Sequence, residues 1–180
     1  HEQAMALVDM PQLLTLGAVE NFVANTDAAF DKGTNYWYYD WALFPEGRQP
    51  RLYLGWDLDT TMQRKQVDRP VLGEGACHLR VGLVVEDEFF QAQYLTAYAD
   101  LLNGPLALSE TIPLLDALEP IVAPHVDADP YQTMGGAAGE FDRLREFFLV
   151  RTAHAQAELG ACPDATCQPS ENSCTCPADC

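Results

Sequence analysis

The chain has 180 residues, 48% of them hydrophobic, which suits one domain with a sizeable core. Its 27 Asp and Glu outnumber 10 Lys and Arg, for a formal net charge of -17. A surface that negative repels phosphate backbones and anionic lipid, which argues against nucleic acid or a membrane surface as primary partner, and no apolar run reaches the roughly 18 residues of a membrane helix.

Taken in order, Glu2 to Val8 is helix-compatible, and Asp9-Met10-Pro11 reads as a helix start with Asp as cap and Pro in the first turn. From Pro11 to Ala24, Leu13, Leu14, Leu16, Val19, Phe22 and Val23 recur at three- and four-residue spacings, the pattern of an amphipathic core helix. Its end delivers Asn25, Thr26 and Asp27 into a loop. Asn35 to Trp41 and Arg51 to Trp56 are rich in Tyr, Trp and Leu, with the turn formers Pro45, Glu46 and Gly47 between them, and together they predict a β-hairpin. The hairpin returns the chain so that Asp57 lies near Asn35, with Asp27 a short loop upstream. Carboxylates and an amide gathered this way suit a hard divalent cation, since Mg²⁺ and Ca²⁺ take oxygen ligands.

Thr60 to Gly75 lacks periodicity and reads as a loop over that site; Cys77 to Val85 fits a short strand or a helix start equally well. Glu86 to Leu102 is helical, with Phe89, Phe90, Tyr94, Leu95 and Tyr98 on its buried side and Asn103-Gly104-Pro105 as its stop. Ser109 reads as the cap of a third helix carrying Ile112, Leu115, Leu118, Ile121 and Val122 at helical spacing, and Asp127 to Gly139 as a Gly-rich connection. A fourth helix, Glu140 to Leu159, places Phe141, Leu144, Phe147 and Phe148 at core spacing and leaves Arg143, Arg145 and Arg151 as solvated charge on its polar face. Five of the six cysteines crowd into the last 19 residues; Cys162, Cys167, Cys174, Cys176 and Cys180 read as a disulfide knot, or, through the first four, as a zinc site.

Three stretches carry a resemblance. Asn25-Thr26-Asp27, then Gly33-Thr34-Asn35-Tyr36-Trp37-Tyr38-Tyr39-Asp40, then Trp56-Asp57-Leu58-Asp59 resemble, in order, the N-W-D, G-x-N-Y-Y-L-Y and P-W-D-L-D motifs of the CotH family, spore-coat-type protein kinases with a divergent kinase fold. Trp37 stands where that family has a tyrosine and Gly55 where it has a proline, and neither change removes an oxygen ligand. Asp9 with Leu13 and Leu14 is similar to the helix preceding the first motif. Phe89-Phe90 through Tyr94, Asp127-Ala128-Asp129, and Leu144 to Phe148 through Arg151 resemble the helical C-terminal part of these kinases.

The resemblance implies an α+β, kinase-like fold: a mostly helical C-lobe over residues 1–160 with an aromatic hairpin at the active site, followed by a cysteine-rich tail over 161–180. It implies Asp27 as catalytic base, Asp57 and Asn35 as the residues that bind ATP with its metal, with Asn35 alternatively orienting the base, and Asp59 as a second-choice metal ligand, the ion being Mg²⁺ or alternatively Ca²⁺. The tail resembles small cysteine repeats of bacterial secreted proteins, which implies a secreted or cell-surface location; the odd number of cysteines there implies Cys77 as a sixth disulfide partner, or one free thiol, or a chain cut short. Kinases draw a phosphate-binding lysine and a glycine-rich cover from an N-terminal lobe. Lys32 and Lys65 are the only lysines here, and neither stands on a strand before the site. The expected partner is therefore the N-terminal half of the same precursor, separated at His1 or lost, besides a protein substrate. Two readings follow: an ATP-dependent extracellular protein kinase, and a secreted structural or adhesive module that keeps the fold with a structural Ca²⁺.

Overall fold

The computed structural model describes residues 1–40, 50–73, 77–131 and 136–160. Within them the protein is α+β: six α-helices and one antiparallel pair of strands. Helix α1 (Glu2–Leu7) leads into α2 (Met10–Phe22), which starts as the sequence predicts, with Asp9 Oδ1 accepting from the Gln12 N–H at 3.1 Å and Pro11 in the first turn. Helix α2 is the centre of the molecule. It buries Leu13, Leu14, Ala18 and Phe22 but also Glu20 and Asn21, so it is enclosed on more than one side, where an amphipathic helix would keep a polar face in water.

Strands β1 (Tyr36–Tyr39) and β2 (Leu52–Gly55) pair antiparallel, Tyr36 opposite Gly55 and Tyr39 opposite Leu52. They are shorter than the predicted runs, and the proposed turn at Pro45, Glu46 and Gly47 lies outside the described residues. Alternation sorts the hairpin into two faces. Tyr36 and Tyr53, rings 5.4 Å apart, pack on the core, while Trp37, Leu54 and Trp56 are exposed on the other side. Gly55 leaves space for its neighbours: a Cβ there would stand 3.1 Å from Glu20 Oε1 and 3.4 Å from Leu16. A parallel bridge between Val8 and Arg51 fastens the base of β2 to the helical body.

After the hairpin the chain does not form a free cover. Segment 60–73, with a 3₁₀ turn at Arg64–Gln66, is held from both ends: the Met62 N–H donates to the Val23 carbonyl at 2.7 Å, and the Val71 N–H to Glu158 Oε2 at 2.5 Å. The Cys77 to Val85 stretch is helical, a turn α3 (His78–Arg80) widening into a π-turn at Val81–Val85. Helix α4 (Glu88–Asn103) packs on α2 with Phe90, Tyr94, Leu95 and Tyr98 buried; Asp87 caps it, and Phe89, expected on the same side, is 45% exposed.

Helix α5 (Leu108–Asp127) begins one residue before Ser109, with Ala107 in the cap position, so Ser109 is not the cap. Of its apolar positions Ile112 and Leu115 touch the core, whereas Leu118, Ile121 and Val122 are exposed. It pairs with α6 (Ala137–Leu159) through Arg145, which binds Asp116 and Glu119 across the helix pair. Arg145 thus bridges two helices, and Arg143 reaches the Met62 carbonyl at 2.6 Å. Arg151 departs furthest from the solvated role expected of it. Its side chain is fully buried.

Candidate functional site

The site is built where α2 ends. Ala24 takes a left-handed backbone, φ 56°, which costs an alanine about 1 kcal/mol and turns the chain sharply out of the helix. Asn25, 1% exposed, then accepts the Asp27 N–H on its Oδ1 at 3.1 Å, a short Asx turn that fixes the Asp27 backbone. Thr34 closes the loop from its far end, its hydroxyl donating to the Asp27 carbonyl at 2.7 Å. Lys32 Nζ pairs with Asp27 Oδ1, and that hydrogen bond, with the attraction of Asp27 behind it, raises the lysine pKa.

Asn35 follows Thr34 directly and is itself left-handed, φ 52°. Its carbonyl accepts the Trp56 N–H at 3.0 Å, the last rung of the hairpin, so that Asp57, φ 58°, comes immediately beyond. A continuous path of backbone and hydroxyl bonds therefore joins Asp27, Thr34, Asn35, Trp56 and Asp57. Two non-glycine residues in the left-handed region at one end of one hairpin are a concentration of strain typical of functional sites. Asp57 is exposed there, and so is Asp59, two residues further on in a turn closed by Thr61 on the Leu58 carbonyl.

The donor set falls short of a metal cage built by protein alone. Among the described residues no three His, Cys, Asp or Glu side chains gather on one point. What the hairpin end offers is one amide and exposed carboxylates, which fits a hard cation held jointly by protein and phosphate, as Mg²⁺ commonly is, better than a cage made by protein alone.

Behind this front lie groups that sequence reasoning missed. Glu20, 2% exposed, sits between β2 and the Asn25 loop; burial pushes its carboxyl up to about 7, and the Ala29 backbone, near it but outside hydrogen-bond geometry, draws it back in part. Arg151 Nη2 donates to Asn21 Oδ1 at 2.7 Å and to the Tyr98 hydroxyl at 2.8 Å, its Nε to the Phe22 carbonyl at 3.2 Å, and its Nη1 to the Arg69 carbonyl. One guanidinium thus ties α6, α4, the end of α2 and segment 60–73 together behind the site. Arg69 is paired in turn with Asp31 at 2.5 Å, both nearly buried. Cys77 donates its thiol to the Ala29 carbonyl at 3.1 Å; its proposed partners Cys162, Cys167, Cys174, Cys176 and Cys180 lie outside the described residues. No helix among the described residues is long and apolar enough to cross a membrane.

A family profile described as CotH kinase protein matches residues 1–155. No curated protein matches the chain significantly.

Proposed function

This chain belongs to the CotH family, whose description is that of a kinase-like protein, and from that premise we propose that it takes part in ATP-dependent transfer of a phosphoryl group to a protein hydroxyl, outside the cytoplasm. Phosphoryl transfer needs a carboxylate to orient and deprotonate the acceptor, a metal to neutralise phosphate charge, and a cation near the transferred group. Asp27 is the carboxylate. Asp57 with Asn35, and Asp59 as a further ligand, would hold Mg²⁺, or Ca²⁺ in its place, against the ATP phosphates; the ion supplies charge neutralisation when bound. Lys32, bonded to Asp27, would supply a cation beside the base.

The observation that carries this reading is the bonded path from Asp27 through Thr34 and Asn35 to Trp56, which links the residues proposed here as base and as metal ligands. A second segment, the N-terminal half of the same precursor, would complete the phosphate cover. Its support is the exposed face of the hairpin, where Trp37 is 60% and Trp56 59% exposed beside the site. Exposed apolar groups rimmed by polar ones are the mark of a partner surface.

The deciding experiment is calorimetric titration of MgATP into the chain, alone and together with its upstream segment, for wild type and Asp57→Ala. Binding weakened at least ~10-fold by Asp57→Ala supports the assignment. Equal binding by both proteins removes Asp57 from the site, and no binding under either condition leaves the non-catalytic module as the reading.

A further inference from the structure

Between α2, the Asn25 loop, residues 69–73 and the helical turn that carries Arg80 is a small space with a volume of about 10 Å³ open to the centre of a water molecule. That is room for one water. Glu20, Asn25, Arg69 and Arg80 line it, and the first three are 2%, 1% and 8% exposed. Both carboxyl oxygens of Glu20, Nδ2 of Asn25 and the Nε of Arg69 and of Arg80 are buried without a protein hydrogen-bond partner among the described residues. Buried polar atoms are almost always satisfied, and five orphans around one space call for a common partner.

Their chemistry identifies it. The orphans include acceptors, on Glu20, and N–H donors, on Asn25, Arg69 and Arg80, so a cation would meet two guanidinium groups and an anion would meet a carboxyl. A neutral molecule that both donates and accepts satisfies both sides, and water offers two donors and two acceptor lone pairs. Asp31 already neutralises Arg69, and Arg80 spends its Nη1 on the Leu72 carbonyl at 3.2 Å.

We propose that this space holds one ordered water joining the Glu20 carboxyl to Asn25 Nδ2 and to the Nε of Arg69 or Arg80, and that through it Glu20 is a positioning residue for Asp27. The other end of the same Asn25 amide accepts the Asp27 N–H, so fixing Nδ2 fixes the Asx turn. Glu20 Oε1 also lies close to β2, 3.1 Å from where a Cβ on Gly55 would stand. One carboxyl therefore sets the loop that carries the base against the strand that leads to Asp57. The raised pKa of Glu20 agrees with a carboxyl bonded to water and not to a cation.

The test uses the whole chain as wild type, Glu20→Gln and Glu20→Leu. A high-resolution crystal structure of the wild type should show one water bonded to both Glu20 and Asn25; a dry space overturns the proposal. By amide hydrogen exchange, Asp27 should exchange at least ~10-fold faster in Glu20→Leu, while Glu20→Gln, which still bonds water, stays within ~3-fold of wild type. Equal protection in a cooperatively folded Glu20→Leu overturns the positioning role, and if that variant does not fold, the wild-type density and Glu20→Gln decide. A kinetic arm rests on the kinase reading above: kcat should fall in Glu20→Leu with KM for ATP changed less than ~2-fold. A wild type with no activity would count against that reading alone, because density and exchange do not depend on it.

Discussion

Gln12 treats Tyr53 as though it were the neighbouring strand of a sheet: its side-chain Nε2 donates to the Tyr53 carbonyl at 2.5 Å, and its Oε1 accepts the Tyr53 N–H at 3.1 Å. An edge strand leaves such backbone groups unpaired. Here a helix residue satisfies both, which couples the hairpin to α2 at a fixed height and so sets where Asp57 stands relative to Asp27.

Gln12→Ala should therefore loosen the hairpin more than the helix. With two hydrogen bonds lost, the expected destabilisation is about 1–3 kcal/mol by urea denaturation, and Gln12→Glu, which keeps only acceptors, should lose part of it. Unchanged amide exchange at Tyr53 in Gln12→Ala would show that the pairing does not hold the strand.

Arg151→Met removes a buried cation and strands the Asn21, Phe22, Tyr98 and Arg69 oxygens it serves. The expected loss is on the order of 3–5 kcal/mol, seen as a fall in the urea midpoint, and Arg151→Lys should recover little of it because a single ammonium cannot copy the planar fork. A loss below ~1 kcal/mol in Arg151→Met would mean that α6 is held by its apolar stripe alone.

Glu20 gives stability a pH dependence of definite sign. Its carboxyl rises from 4.5 to about 7 on folding, so between those values the native state keeps a proton that the unfolded chain has lost, and stability falls as pH rises through the window. The size is on the order of 3 kcal/mol, complete above the folded pKa, and Glu20→Gln should flatten this part of the profile. Wild type and Glu20→Gln with parallel profiles from acid to neutral pH would contradict it.

Asp27 and Lys32 separate chemistry from stability. Lys32 is 61% exposed and Asp27 29%, so Lys32→Met should leave the urea midpoint close to that of wild type. In a protein-phosphorylation assay Asp27→Asn should reduce kcat by roughly 10²- to 10⁴-fold and leave MgATP binding within ~2-fold. Full activity in Asp27→Asn would move the base elsewhere.

The sequence spoke plainly where local chemistry decides the structure: Asp9 and Pro11 start α2, and the aromatic runs pair as a hairpin that sets Asn35 beside the residue before Asp57. It was silent where a polar residue stands on an apolar stripe. Arg151 lies three and four residues past Phe148 and Phe147 and four before Ala155, all buried, so its position announced burial even as its charge suggested water. Glu20 stands likewise three residues after Gly17 and seven after Leu13. The opposite error occurred in α5, whose helical apolar pattern suggested a packed face while Leu118, Ile121 and Val122 face outward. Periodicity reports which residues share a face; it does not report what that face meets.

The edge-on packing of Trp37 against Trp56, ring centroids 6.2 Å apart, gives the protein a built-in optical reporter. Two of its three tryptophans sit at the mouth of the hairpin with more than half their surface in water. Their emission will therefore be red-shifted and open to collisional quenchers such as acrylamide. Anything that covers that end of the hairpin, whether nucleotide or polypeptide, will blue-shift the spectrum and shield it, so occupancy can be followed without a label and without knowing in advance what the occupant is.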